Sequence, residues 1–120
     1  MIIKRLSEHF LNSEFICKHC EMLPGEGIDM QLVYYLEILR HKLGDNPIRI
    51  ISGYRCEAYN TKINGAKFSQ HMLGKAADIT IDNVSIIHIM AAANLLFYAD
   101  GVGRYDSFIH VDTRGTRTRW

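Results

Sequence analysis

The chain has 120 residues, a formal net charge of +1 and a hydrophobic fraction of 48%. A chain of this size can bury its own core, so residues 1–120 are predicted to form a single domain. The near-neutral charge gives no reason to expect nucleic acid as a partner. No segment approaches the roughly 18 apolar residues of a membrane span, and MIIKRLSEHF lacks the apolar centre of a signal peptide. We therefore expect a monomer that is cytoplasmic at synthesis and is not inserted in a membrane.

The first half of the chain predicts a lead-in segment, a helix, a strand and a short helix. Residues 7–16 read as short helical or irregular structure, and the glycines and proline of residues 24–27 indicate a loop. Asp29 is placed to cap an amphipathic helix that Gly44 ends. Its apolar side chains recur at steps of three and four, at Leu32, Tyr35, Leu36, Leu39 and Leu43. Residues 48–52 then predict a buried strand, residues 55–63 a short helix and residues 66–76 a loop.

The second half contains two segments in which polar and apolar residues alternate. Residues 78–82, DITID, predict a half-buried strand with Asp78 on its polar face. Residues 108–113, FIHVDT, predict a second strand, in which His110 shares a face with Asp112. Between them, residues 84–97 predict an amphipathic helix capped by Asp82 or Asn83, and residues 101–103 a turn or a strand start. The pattern predicts an α+β fold, with two helices packed on a small, mainly antiparallel sheet. The final RGTRTRW is interpreted as a solvated basic tail.

The cysteines leave an open question. Three is an odd number, which argues against a complete disulfide framework. Cys17 and Cys20 form the motif CKHC, with His19 between them. One CxxC motif lacks the second pair that a structural zinc site needs, although Cys56 or a histidine could complete one. Buried or redox-inert thiols are the favoured interpretation.

Two predicted strands and one predicted loop carry residues with the chemistry of a metal site. Asp78 begins one strand, His110 lies inside the other, and His71 lies seven residues before Asp78 in a loop that contains Gly74. Histidine nitrogen and carboxylate oxygen are good zinc ligands, and three protein ligands leave a fourth position for water, as in catalytic sites. The spacing alone leaves two interpretations open, a catalytic zinc site and incidental, solvent-facing histidines.

The segments SGYRCEAYN, SQHMLGKAADI and FIHVDTR, in this order, resemble the peptidase M15 group of metallopeptidases. That group includes D-Ala-D-Ala carboxypeptidases, phage endolysins and cell-wall endopeptidases, and it shares its fold with the hedgehog signalling domain. The group's pattern SxHxxGxAxD, followed later by a strand histidine, is matched at Ser69, His71, Gly74, Ala76, Asp78 and His110. The opening LSEHFLNSEFICKHC also resembles the small, phage-associated M15 branch.

The resemblance implies a Zn2+ ion held by His71, Asp78 and His110. It implies that Arg55 binds a carboxylate or peptide oxygen of the substrate and stabilises the developing oxyanion, as a two-pronged guanidinium is suited to do. Ser69 either contacts substrate or shapes the loop. The implied reaction is hydrolysis of amide bonds in the stem peptides or crosslinks of peptidoglycan, so a peptidoglycan peptide is the expected substrate.

The proton-transfer residue is where the sequence departs from the group. Several relatives place a glutamate or histidine a few residues before the last ligand, whereas only Asp106 offers a base there. Asp112 is the competitor, because it lies two residues after His110 on the same strand face, about 7 Å away by strand rise. From there it could act as the base or orient His110. The sequence leaves both open.

Two further expectations concern biology. A non-catalytic, zinc-stabilised module that binds peptidoglycan or protein is the alternative function, since some relatives of this fold bind partners. The absence of an export signal fits an endolysin of phage or prophage origin that reaches the cell wall after release.

Overall fold

The computed structural model describes residues 1–120 and is an α+β fold, which confirms the predicted class. One mixed sheet has the strand order β1-β2-β4-β3-β5. The strands are β1 (Ile48–Ser52), β2 (Ala76–Ile81), β3 (Gly101–Arg104), β4 (Ile109–Asp112) and β5 (Thr118–Arg119). The helices are α1 (Met30–Lys42), α2 (Glu57–Lys62) and α3 (Ile86–Leu96), with 3-10 helices at Asn12–Phe15 and Gln70–Leu73. None of these helices combines the length and hydropathy that a bilayer crossing requires.

The core lies between one face of the sheet and the helices α1 and α3. Its fully buried side chains include several from α1, from α3 and the residue after it, and from the central strands, among them Leu32, Leu36, Leu39, Ile89, Phe97, Ile79, Ile109 and Val111. The three-and-four spacing of the α1 leucines explains why that helix turns one stripe towards the sheet. The opposite face of β2 and β4 is left for polar side chains, and the candidate site forms there.

The sheet is mainly antiparallel, as predicted, but its edge is not. β5 pairs with β3 in parallel, with Gly101 opposite Thr118. The prediction of a solvated C-terminal tail was therefore wrong. The tail satisfies the free backbone edge of β3, and the Arg119 guanidinium donates to the carbonyl oxygens of Asp100 and Phe97.

Two local predictions also need correction. β2 was expected to be half-buried from residue 78, but it begins at Ala76 and only Thr80 escapes burial, because β1 and β4 flank it on both edges. The cap of α3 is Ser85, whose hydroxyl accepts from the His88 N–H, and not Asp82, which instead pairs with Arg49.

Candidate active site

Four strands place one residue each in a row across the polar face of the sheet. The antiparallel register sets Ser52 opposite Asp78, Asp78 opposite His110, and His110 opposite Gly103. Residues directly opposite in adjacent strands have neighbouring side chains. The alternation of DITID and FIHVDT therefore brings the aspartate and the histidine together, although they lie 32 residues apart in sequence.

His71 reaches this row from the 3-10 helix Gln70–Leu73. The Ser69 hydroxyl accepts from the His71 backbone N–H and so starts that turn. Gly74 ends it with a φ of 70°, a left-handed conformation that favours glycine. The ring nitrogen Nδ1 donates to the carbonyl oxygen of Gly53 at 2.7 Å, and Nε2 lies 3.2 Å from Asp78 Oδ1.

His110 is held in the same way by a different group. Its Nδ1 lies 3.0 Å from Asp78 Oδ1, and its Nε2 lies 2.7 Å from Asp112 Oδ2. Since a carboxylate accepts, the Nε2–H donates to Asp112, and Nδ1 is the ring nitrogen that faces Asp78. Each imidazole is thus fixed through one nitrogen and presents the other beside Asp78.

The three side chains form a donor set that fits zinc. One ligand atom each of His71, Asp78 and His110 lies within 4.8 Å of the others, and all three residues are buried. Burial alone would raise the pKa of Asp78, but hydrogen bonds from His110 and His71 outweigh it and hold that pKa well below its usual range. The aspartate is therefore an anion, and two imidazole nitrogens with one carboxylate oxygen are ligands that zinc prefers. Hydrogen bonds to the far nitrogens are the usual support of ligating histidines.

Arg55 adjoins this donor set. Its Nη2 donates to Asp78 Oδ2 at 3.1 Å, and its Nε donates to the Ser52 hydroxyl at 3.1 Å. The side chain is mostly buried, yet it lines the cleft that leads to the histidines. A guanidinium beside the donor set can donate hydrogen bonds to an anionic or carbonyl oxygen that enters the cleft.

The cleft has a volume of about 620 Å3 and aromatic walls. The rings of Tyr105 and Phe108 stack with centroids 4.5 Å apart, and the Trp120 ring lies 4.9 Å from that of His110. Phe68, which is 81% exposed, also lines the cleft. Apart from Asp78, no carboxylate lines the cleft.

The structure separates the two candidate bases. Asp112 is completely buried behind His110, where it also accepts from the Gly101 N–H and from Arg114. Burial would raise its pKa, but the hydrogen bonds from His110 and Arg114 hold that pKa well below its usual range. Asp106 lies exposed in the turn between β3 and β4 and does not line the cleft. The identity of the base stays a prediction.

Sequence reasoning missed several residues that support the site. The Gly53 carbonyl and Arg114 were not considered, and neither was Trp120. Gly101 and Gly103 were read only as a turn or strand start. A Cβ on Gly101 would lie 2.3 Å from a carboxylate oxygen of Asp112, and one on Gly103 would lie 2.5 Å from the Trp120 ring. The glycines of GVGR were a usable signal, because glycine inside a strand often marks a close approach.

Comparisons with known proteins show the family to which the chain belongs. Residues 8–112 match the family model described as Peptidase M15. The peptidoglycan L,D-endopeptidase MepK of Escherichia coli K12 is 36% identical over 103 residues, which cover 79% of this chain and 56% of the relative. The zinc D-Ala-D-Ala carboxypeptidase of Streptomyces albus G is 40% identical over 47 residues, 39% of this chain and 18% of the relative. The chain thus spans about half the length of the Escherichia coli relative and less of the Streptomyces relative.

The fold and the donor set define a class, that of α+β domains in which two histidines and one carboxylate form a donor set suited to zinc. The match over residues 8–112 identifies the member within that class. The chain belongs to the peptidase M15 family, as the motif resemblance predicted.

Proposed function

We propose that this domain is a zinc-dependent peptidase that hydrolyses amide bonds in the stem peptides or crosslinks of peptidoglycan. One observation carries the proposal: Asp78 Oδ1 lies 3.2 Å from His71 Nε2 and 3.0 Å from His110 Nδ1, inside an open cleft. The printed names of the relatives, a peptidoglycan L,D-endopeptidase and a zinc carboxypeptidase, support the choice of substrate.

His71, Asp78 and His110 are the proposed ligands. When bound there, zinc supplies a Lewis acid and lowers the pKa of coordinated water to about 7. The protein's own contribution is preorganisation, because the Gly53 carbonyl and the Asp112 carboxylate fix the two rings before any metal arrives. Little reorganisation is then needed in the reaction itself.

Arg55 is the proposed partner of the substrate. It lies in the cleft beside the donor set, and stem peptides offer it carboxylates and carbonyl oxygens. Its guanidinium can donate two parallel hydrogen bonds to a carboxylate. It can also stabilise negative charge that develops on the attacked carbonyl oxygen. Ser69, whose hydroxyl accepts from the His71 N–H, is assigned to shaping the turn as well as lining the cleft.

Proton transfer is assigned to Asp106 in this proposal. Asp112 has no exposed surface and is occupied by His110, Arg114 and the Gly101 N–H, which suits a positioning residue. Asp106 is free in the turn that carries Tyr105 and Phe108 along the cleft. Catalytic hydrogen bonds often form only in the complex with substrate, so distance in the free protein does not exclude it.

The test is release of soluble peptide from purified sacculi by the metal-loaded and the chelator-treated protein. Chelation and His71→Ala are both expected to abolish release. His88→Ala is the matched control, because His88 is exposed on α3 away from the cleft. Release that continues unchanged after metal removal would refute the zinc mechanism.

One observation favours a second function, a zinc-stabilised module that binds peptidoglycan without turnover. The cleft contains no carboxylate other than Asp78, so no base is in place in the free protein. Mass spectrometry of defined muropeptides incubated with the zinc-loaded protein separates the two. Intact muropeptides that co-purify with the protein would establish the binding module, whereas new fragments would establish the peptidase.

Two expectations from the sequence stay predictions. A phage or prophage origin is tested by the genes that flank the coding sequence, where lysis or virion genes are expected. The monomeric state is tested by light scattering of the zinc-loaded protein in solution.

A further inference from the structure

A second cluster of metal-binding side chains lies outside the histidine site. One sulfur atom each of Cys17, Cys20 and Cys56 lies within 4.8 Å of the others, and none of the three is in a disulfide. Cys17 is buried, whereas Cys20 and Cys56 are partly exposed, so the cluster can be reached from solvent. None of its members belongs to the row of site residues described above.

The backbone is folded to bring these sulfurs together. The Glu21 N–H donates to the Cys17 carbonyl oxygen at 2.8 Å, and the Cys17 N–H donates to the Met22 carbonyl oxygen at 2.9 Å. Glu21 closes this turn with a left-handed φ of 58°. Such a tight turn is the way in which a CxxC motif presents both sulfurs to one point. The third sulfur comes from Cys56, the N-cap residue of α2.

Backbone N–H groups point at two of the sulfurs. The Cys56 N–H donates to Cys17 Sγ at 3.4 Å, and the Tyr59 N–H donates to Cys56 Sγ at 3.4 Å. Such donors favour the thiolate form, which is the form that binds metal. Three soft sulfur donors around one point suit zinc better than harder cations. A disulfide would use two of the sulfurs and leave the third without a role.

We propose that Cys17, Cys20 and Cys56 supply three of the four ligands of one zinc ion, which ties their two segments of the chain together. Binding releases the three thiol protons to solvent, so that three thiolates hold the ion. The fourth ligand is either water or His19, which lies between Cys17 and Cys20, is exposed, and stacks on Tyr59 with ring centroids 6.0 Å apart. The inference is independent of the proposed peptidase activity, since it requires no turnover.

The position of the cluster shows what such an ion would stabilise. Cys56 directly follows Arg55, and the Arg55 N–H donates to the His71 carbonyl oxygen at 3.1 Å. The Tyr54 N–H donates to the Phe15 carbonyl oxygen at 2.8 Å. An ion shared by Cys17 and Cys56 would tie residues 15–20 to residues 53–56. That second segment carries both the carbonyl that orients His71 and the guanidinium of the cleft.

Cobalt substitution of the full chain is the decisive experiment, carried out on His71→Ala under reducing conditions. This variant is expected to lose the histidine site, so any tightly bound cobalt reports on the cysteines. A sulfur-to-cobalt charge-transfer band in the near ultraviolet is expected, with one equivalent of bound metal. Adding Cys20→Ser to the same variant should remove the band. Adding Ser85→Ala should leave the band unchanged, because Ser85 is the N-cap of α3 and does not belong to the cysteine cluster.

Metal content and thiol reactivity of the wild-type protein give a second measurement, for which no cysteine variant has to fold. Two equivalents of zinc per chain are expected, with thiols that react with a disulfide reagent only after chelation. One equivalent of zinc with three freely reactive thiols would overturn the proposal. So would a mass two hydrogens lower than the reduced chain, which would reveal a disulfide.

Discussion

Asp112 Oδ2 lies 2.7 Å from His110 Nε2 and thereby holds the other ring nitrogen, Nδ1, beside Asp78. The carboxylate is itself held by Arg114 and the Gly101 N–H, so the orientation of His110, a proposed ligand, is set by residues outside the donor set. The same contacts change the pKa of His110. Burial would lower that pKa, but the hydrogen bonds to Asp112 and Asp78 outweigh burial and raise it.

Asp112→Asn tests this positioning role. The amide keeps the shape of the side chain but loses the charge that fixes the His110 tautomer, so zinc affinity is expected to fall by about 10–100-fold. Competition with a chromophoric chelator measures the affinity. Turnover should recover largely at saturating zinc. If affinity is unchanged and turnover stays abolished at saturating zinc, Asp112 is the proton-transfer group instead.

Asp106→Asn tests the complementary assignment. An amide cannot accept the proton, so kcat is expected to fall by about 10²-fold or more while zinc affinity stays at the wild-type value. The acidic limb of the kcat pH profile, rather than metal content, is the informative readout, because a base must be deprotonated to act. Asp45→Asn, an exposed aspartate after α1, is the matched control and should behave as wild type. Undiminished kcat in Asp106→Asn would remove that residue from the mechanism.

Arg55→Lys keeps the positive charge and loses the two-pronged geometry. We expect kcat/KM on a defined muropeptide to fall by about 10²-fold, because lysine is a point charge that cannot replace the paired donors. Arg49→Lys is the control, since Arg49 lies on β1, shortly before Arg55 in the sequence, and is exposed and paired with Asp82. Equal kinetics for the two variants would show that Arg55 acts only as a partner of Asp78 and Ser52.

Gly101→Ala tests whether zinc binding depends on the close approach of the Gly101 backbone to the Asp112 carboxylate. The added Cβ would lie 2.3–2.6 Å from the carboxylate atoms of Asp112, so that side chain must move and His110 loses its support. Weaker zinc binding is expected, with a lowered melting temperature. Gly25→Ala is the control, because nothing lies within 4 Å of its Cβ. Wild-type affinity in Gly101→Ala would mean that the site tolerates movement of Asp112.

Glu37, which lies away from the candidate site, is expected to make the free energy of unfolding depend on pH. Burial would raise its pKa, but hydrogen bonds from the Ser7 hydroxyl and from His9 outweigh it, and the pKa is lowered. A lowered carboxyl pKa adds stability above the unfolded value of about 4.3, and that stability is lost as the pH falls through the folded value. Glu37→Gln should therefore be less stable than wild type at neutral pH by about 1–2 kcal/mol.

Denaturant unfolding of the metal-free proteins measures this difference at neutral and at acidic pH. The difference between wild type and Glu37→Gln should shrink below about pH 4, where the wild-type carboxyl is protonated too. Glu26→Gln, an exposed glutamate in the loop before α1, is the control. A difference that does not change with pH would show that Glu37 acts through packing rather than charge.

The class of fold and the candidate ligands were predicted from local patterns. Strict alternation in DITID and FIHVDT is a property of neighbouring residues, and it placed Asp78 and His110 on polar strand faces before any pairing was known. The spacing of the α1 leucines is local in the same sense. The motif SQHMLGKAAD added His71, and the family match confirmed the resemblance.

The tertiary structure decided what surrounds those residues, because the contacts join distant parts of the chain. His71 receives its acceptor from Gly53, 18 residues earlier, and no local pattern marks a backbone carbonyl. β5 exists only because the edge of β3 offers unpaired backbone groups. Cys56 lies 39 residues from Cys17 in the sequence, so only the folded chain shows that its sulfur atom lies close to those of Cys17 and Cys20.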